Sequence, residues 1–293
     1  VKKRLGFVLA WWLLGCDDPL KTVELIEEPR LLAARVSVLD DEDRAAPAPG
    51  ETAIVTFLLA SPAVGQTQGF ALAACPAAAR RSARTECAAE PFAKVLSADG
   101  ESDTVSLRFE APAELDPAGR VAVLGVVCPF GSPSADGTSC DGVEPGNPLT
   151  FELELAREGD VNQNPTLEPT SLAFDGEPWP ELAAVDGNCS GLGYVEVAAG
   201  TEHSFEVALG QDDRDGVPHP DSLDPVRESL QLSHFTTGGD LSRAFESIPW
   251  DSDELLRRTT WKAPKQAGLV RFWLVLRDFR GGADFVERSV CVL

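Results

Sequence analysis

Side chains with intrinsic nucleophilic or metal-binding chemistry are few in this chain: seven cysteines and three histidines among 293 residues. Leaving Cys16 aside, Cys75, Cys87, Cys128, Cys140, Cys189 and Cys291 form an even set that points to disulfides, with fifteen connectivities open to six cysteines. Cys75 and Cys87 are 12 residues apart, as are Cys128 and Cys140, and each pair brackets a polar, turn-rich stretch. Cys189 and Cys291 are then left for each other. A metal site is the alternative, but no CxxC spacing or neighbouring histidine cluster supports it. His203, His219 and His234 show no HExxH spacing, and neither a GxSxG elbow nor a P-loop occurs. His219, between Pro218 and Pro220, reads as a loop residue, whereas His203 and His234 fall in strand-like segments and read as structural. Paired acids are plentiful, but among 47 Asp and Glu their closeness in sequence has no catalytic meaning. The expectation is a protein that is not an enzyme and carries no cofactor.

Charge narrows the partners. The acids stand against 25 Lys and Arg, a formal net charge of −22, which opposes binding to nucleic acid or to anionic lipid surfaces. One basic cluster, Arg80, Arg81 and Arg84, lies inside the Cys75–Cys87 loop. It could dock an acidic partner, although simple solvation of a surface loop is the plainer reading. The apolar fraction of 43% is ordinary for a globular chain, and 25 Gly with 22 Pro imply many turns.

The first residues act as an address. Lys2, Lys3 and Arg4 precede an unbroken apolar run from Leu5 to Leu14. Ten helical residues span about 15 Å, half the hydrocarbon core, so the run reads as an export signal and not as a membrane span. Leu13-Leu14-Gly15-Cys16 resembles the lipobox of bacterial lipoproteins. The resemblance implies removal of residues 1–15 and acylation of Cys16, which would then hold the protein at a membrane through its acyl chains. Loss of three cations takes the net charge from −22 to −25, so the body should stand off an anionic surface. The expected location is the bacterial cell envelope, lipid-anchored. Asp17 and Asp18 resemble an inner-membrane retention signal in some lineages, which leaves the membrane and leaflet open.

The remaining chain must supply the elements that hold these groups, and it reads as strands. Residues 31–39, 52–60, 104–109, 120–128 and 149–155 alternate or run apolar in the first half. Residues 195–209 (broken at Gly200), 228–235, 269–278 and 285–293 do so in the second. The halves also repeat. Pro49-Gly50-Glu51-Thr52 returns as Ala199-Gly200-Thr201-Glu202, at an offset of 150. Phe109-Glu110-Ala111-Pro112 returns as Trp261-Lys262-Ala263-Pro264, and the run from Val121 returns from Val270, at offsets of 152 and 149. The expected fold is all-β: two Ig-like antiparallel β-sandwich domains in tandem after a lipoprotein signal peptide. The corresponding segments are 1–15 signal, 16–29 lipidated N-terminus and tether, 30–158 first sandwich, 159–166 linker and 167–293 second sandwich.

In the second copy, Asp213-Arg214-Asp215-Gly216, Thr237-Gly238-Gly239, Trp261-Lys262-Ala263-Pro264 and Asp278-Phe279-Arg280-Gly281-Gly282 follow in order. The series resembles bacterial Ig-like domains of the PKD and cadherin-like type. On that resemblance Trp261 and Trp273 fill the inter-sheet core, and Gly281-Gly282 supply the positive φ angles of a hairpin. Asp160-Val161-Asn162-Gln163-Asn164-Pro165 resembles the cadherin linker, which implies calcium held by Asp160, Asn162, Asn164, Asp213 and Asp215. Gln163 in place of an aspartate and an early Pro165 depart from that pattern. The functional expectation is a structural, adhesive or protein-interaction role, with an envelope protein or polymer as partner and no nucleic acid. Carbohydrate or envelope-polymer binding is the alternative: Trp179, Tyr194 and Trp250 exposed in a line would mark a sugar platform. An enzyme accessory domain is a third, weaker reading.

Overall fold

A computed structural model describes residues 22–64, 68–79, 85–100, 103–113, 119–129, 131–141, 146–156, 162–210, 214–218 and 224–293. Cys16 with the rest of the leader, Arg80, Arg81, Arg84, Asp160, Asp213 and His219 lie outside those residues. Among the described residues no helix is long and apolar enough to cross a membrane.

The first half folds as β1 (Arg30–Val38), β2 (Thr52–Ala60), β3 (Gln68–Pro76), β4 (Ala93–Gly100), β5 (Thr104–Glu110), β6 (Arg120–Cys128) and β7 (Asn147–Glu154). They form a three-stranded sheet, β1-β2-β5, and a four-stranded sheet, β4-β3-β6-β7. Between the sheets, Val55, Phe57, Leu72, Leu107, Val121 and Val123 meet in one core. These are alternate positions of their strands, as the two-residue pleat requires.

The second half contains β8 (Leu172–Phe174), β9 (Glu177–Pro178), β10 (Val195–Val197), β11 (Glu202–Ala208), β12 (Gly216–Val217), β13 (Val226–Arg227) and β14 (Leu230–Thr236). It continues through β15 (Asp240–Leu241), β16 (Phe245–Ile248), β17 (Leu256–Lys262), β18 (Gly268–Arg277) and β19 (Ala283–Val292). The two large sheets run β10-β19-β18-β14-β16 and β15-β17-β11-β8-β9, and β12-β13 form a small ladder beside them. Pairing is antiparallel except between β10 and β19.

The halves share wiring. β1-β2-β5 matches β8-β11-β17 in order, and β3-β6-β7 matches β14-β18-β19. The sequence landmarks touch one another in the same way in both. Gly50 N donates to Ala111 O and Ala111 N to Glu51 O; Gly200 N donates to Pro264 O and Ala263 N to Thr201 O.

Two strands of the first sandwich, β3 and β4, were not anticipated. The β3 segment Gln-Gly-Phe-Ala-Leu-Ala-Ala-Cys-Pro is rich in alanine, a weak strand former, and is held by β6 on one side and β4 on the other. Within residues 22–29, expected as part of a tether, Ile26 is held against the second sandwich while Val23, Glu27 and Glu28 stay exposed. Ile26 N donates to Thr236 O and Thr236 N to Glu24 O, so this segment pairs with the end of β14 that β16 does not reach. Ile26 is 1% exposed.

The sandwiches stack face to face. Leu32, Ala33, Leu58 and Ala60 on the outer face of β1-β2 pack with Trp273, Val275, Phe235 and Phe285 on the outer face of the β14-β18-β19 sheet, and Ile26 closes the cluster. Trp273 therefore does not fill the inter-sheet core as expected. Val270, Phe272, Leu274 and Leu276 take the inward positions of β18, which turns Trp273 outward by the pleat and into the seam between the sandwiches. Trp261 does occupy the inter-sheet core.

Candidate functional site

The three disulfides are Cys75–Cys87, Cys128–Cys140 and Cys189–Cys291. They place the protein in an oxidising, extracytoplasmic compartment. The first two share a surface. Cys75 pairs across from Ala122 and Cys128 across from Gly69, six positions apart in one β3–β6 ladder. An even separation puts both on the same face of the sheet, about 20 Å apart at the strand rise. That face points away from the core, and each loop folds back over its own end: Cys140 over Ala71 and Val126, Cys87 over Ala122 and Leu124.

Between them lies a trough of about 710 Å³, floored by Ala71, Ala73 and Leu124 and bounded by Lys94, Leu96 and the 135–138 turn. Leu96 is 53% exposed at its rim. The 135–138 wall is stiff, because the Asp136 carboxylate accepts from Ser134 Oγ (2.6 Å), Thr138 N (3.1 Å) and Thr138 Oγ1 (2.9 Å). Those bonds hold Asp136 below the usual carboxylate range, so it stays charged. Gly137, at φ +72°, lets the turn sit directly on Ala71, where an added Cβ would come within 3.1 Å of that side chain. The sequence carried a readable signal for this surface, the matching parity of two 12-residue cysteine loops, but it could be used only once β3 and β6 were known to be neighbours.

The linker region forms a second polar site, on the seam. Asn164 Nδ2 donates to Val36 O (2.7 Å) in the first sandwich, and Asn164 Oδ1 accepts from Ala283 N (3.0 Å) in the second. Asn162 Nδ2 donates to Asp278 Oδ2 (2.8 Å), and Gln163 N to Asp215 Oδ2 (2.9 Å). The structure thus gathers three of the expected calcium ligands, Asn162, Asn164 and Asp215, around the joint. Both side-chain polar atoms of Asn164 and the Asp215 carboxylate take protein partners, whereas Asn162 bonds through Nδ2 alone and its Oδ1 is buried without one. Among the described residues no group of three or more His, Cys, Asp or Glu could hold a metal ion. The neutralising charge is Arg280, whose Nη1 lies 3.3 Å from Asp215 Oδ2 and 3.6 Å from Glu228 Oε2.

Burial, with Asp278 and Asp215 nearby, pushes Glu228 up to about 7, and burial also raises Asp278. The hairpin after β18 differs from expectation in one detail. Gly281 (φ +111°) and Phe279 (φ +62°) take the positive φ angles. Gly282 instead lacks a side chain because the Asp278 carboxylate occupies the space a Cβ would need.

The other singled-out residues scatter. His234 is buried edge-on to Phe205 with its Nδ1 3.4 Å from Arg243 O, and desolvation lowers its pKa to about 4, so it is neutral. His203 joins Asp175 (Nδ1 to Oδ2, 2.7 Å) and Thr201 (Nε2 to Oγ1, 2.6 Å), an order that superficially matches acid, base and nucleophile. Thr201 Oγ1, however, donates to Ala198 O (2.5 Å), so its single proton is held by a backbone carbonyl and is not handed to the ring as a nucleophile's must be. The array fastens the 198–201 turn. Trp179 is buried and bonds Ser289 O (3.2 Å); Tyr194 is buried and bonds Ala183 O (2.5 Å). With only Trp250 of the three exposed, the aromatic platform that would mark the alternative, sugar binding, does not form.

No family model matches the chain, and no curated protein matches its sequence. Among solved structures it is similar to the Yersinia pseudotuberculosis adhesin InvE at 11% identity and TM-score 0.21, over 88% of this chain and 58% of that one. It is also similar to red sea bream transglutaminase at 10% identity and TM-score 0.25, over 90% of this chain and 32% of that one. A glycosyl hydrolase family 2 member from Bacteroides cellulosilyticus matches at 8% identity and TM-score 0.21, over 90% of this chain and 28% of that one. The chain thus spans less than two thirds of each of these proteins, and scores this low support no argument about what it does.

Proposed function

We propose that the protein is a cell-envelope lipoprotein, held at a membrane by acyl chains on Cys16, whose double sandwich has an adhesive or structural protein-interaction role. The reading includes no catalysis. The observation that carries it is the trough between the two disulfide loops. Covalent walls and a small-residue floor preorganise an apolar surface on an extracytoplasmic protein, which lowers the ordering cost of binding. Among the described residues its rim offers one cation, Lys94, and one anion, Asp136, the mixed complement that a polypeptide backbone and side chains can meet. Burial of Trp179 and Tyr194 removes the aromatic platform on which a sugar-binding reading rested.

The test combines anchoring with occupancy. Cys16→Ser should release the protein from membranes and abolish labelling by a palmitate analogue. A photo-crosslinking residue at Leu96 should give one dominant protein adduct in intact cells. Ala73→Arg, which fills the trough from its half-buried floor, should remove that adduct while leaving the melting temperature unchanged. An adduct that survives Ala73→Arg would show that the trough is not the interaction surface.

A further inference from the structure

A second cavity, of about 270 Å³, opens at the end of the first sandwich between its two sheets. Leu31, Leu59, Val127 and Leu149 supply an apolar wall, and Gln68 and Arg30 add polar groups. Gln68 is only 1% exposed, yet neither its amide oxygen nor its amide nitrogen has a partner. Arg30 Nε is likewise buried without one, although the same guanidinium reaches Val23 O through Nη2 and lies over the Phe235 ring. Native interiors rarely leave a primary amide unpaired on both atoms, because each unmet group carries its full desolvation cost. β1 and β7, which flank the cavity, are edge strands of opposite sheets; Asn147 Nδ2 donates to Pro29 O (2.7 Å) and Arg277 to Leu32 O on that edge, and neither reaches the Gln68 amide.

A primary amide offers one acceptor and two donors in a plane. The N–H and C=O of a single residue in an extended chain point to the same side and match that pair. We propose that this cavity receives an extended polypeptide segment of a partner, with Gln68 bonding both backbone groups of one residue and an adjacent aliphatic side chain entering the Leu31–Leu149 wall. Arg30 Nε supplies a further donor to a carbonyl of the same segment. The inference rests on the protein-interaction reading and gives the partner's chemistry, but it concerns a different cavity from the trough.

The test uses the full chain and the probe N-acetyl-leucine N′-methylamide, followed by NMR. In the wild type, the Gln68 side-chain amide signals and the methyl signals of Leu31, Leu59 and Leu149 should shift saturably. N-methylation of the probe's leucine nitrogen, which removes its donor, should weaken binding about tenfold or more. Gln68→Leu should weaken it similarly and should leave the melting temperature equal or higher, since an unpaired amide is lost. Ala73→Arg should bind the probe like the wild type, which separates this site from the trough. The proposal falls if the wild type shows no saturable shift, if Gln68→Leu binds equally well, or if Gln68→Leu lowers the melting temperature, the mark of a structural amide.

Discussion

Arg271 in β18 reaches across the seam to Asp103, 168 residues earlier in the chain. The same guanidinium bonds Glu287 (2.7 and 3.0 Å) and Ser61 O (2.8 Å) and lies 4.7 Å over the Trp273 ring. One side chain therefore ties a strand of the second sandwich to two segments of the first.

Arg271 is 3% exposed, so its removal leaves Asp103 and Glu287 facing each other partly buried. Arg271→Ala should cost about 3–5 kcal/mol, the range for breaking a buried pair by deleting one partner. Urea denaturation should show this loss, together with separation of one cooperative transition into two as the seam loosens. A single transition at unchanged midpoint would contradict it.

Ile26, buried against the second sandwich, makes a related prediction. Ile26→Ala should destabilise by about 2–5 kcal/mol, as for other buried aliphatic truncations. Limited proteolysis between Thr22 and Glu28 should then be faster than in the wild type. If the segment were a loose tether, the substitution would change neither quantity.

Stability should depend on pH in a defined direction. Glu228 is raised from 4.5 to about 7 and Asp103 from 3.8 to about 6, both chiefly by desolvation. Between the unfolded and folded values the native state holds a proton that the unfolded state has released. Their contribution is therefore fully present below the unfolded pKa and is lost as pH rises through the folded one. His234 acts oppositely: lowered from 6.5 to about 4, it contributes above 6.5 and fails as pH falls toward 4. The melting temperature should rise from about pH 8 to about pH 6. Glu228→Gln should flatten that rise, and a slope that persists in the variant would assign it to other groups.

The disulfides should separate stability from binding. Replacing Cys189 and Cys291, which are 102 residues apart, with serine should cost about 4–5 kcal/mol on the chain-entropy model. The Cys75–Cys87 pair closes only 12 residues and should cost less, about 2–3 kcal/mol, yet it should abolish the Leu96 crosslink because it frees a wall of the trough. Denaturation and crosslinking of the two serine pairs give the comparison.

Arg280 stands where a cation is wanted, between Asp215 and Glu228. Chelator should leave the melting temperature of the wild type unchanged by calorimetry. A drop on chelation would restore calcium to the joint.

Local pattern was enough for much of the scaffold. Strand β2 and strand β6 follow the bounds that periodicity sets, and the Gly50 and Gly200 turns mark the same corner in both copies. The short cysteine spacings also indicated their own pairing, because a 12-residue loop can fold back on the strand end it leaves. Pleat parity likewise dictates that Val270, Phe272, Leu274 and Leu276 share one face of β18 and Trp273 and Val275 the other.

Parity does not say what covers each face. The apolar run of β18 meant that both faces are buried, but whether Trp273 meets its own sandwich or its neighbour depends on how two sheets far apart in sequence stack. The same holds for Ile26, Gln68, and the two cysteine loops sharing one surface. Each is a contact between segments whose separation along the chain leaves no local trace. Composition and periodicity decided that this chain is disulfide-bonded and doubled in β-structure; only the tertiary packing decided that the two copies are fused along a face and which surfaces remain free to bind.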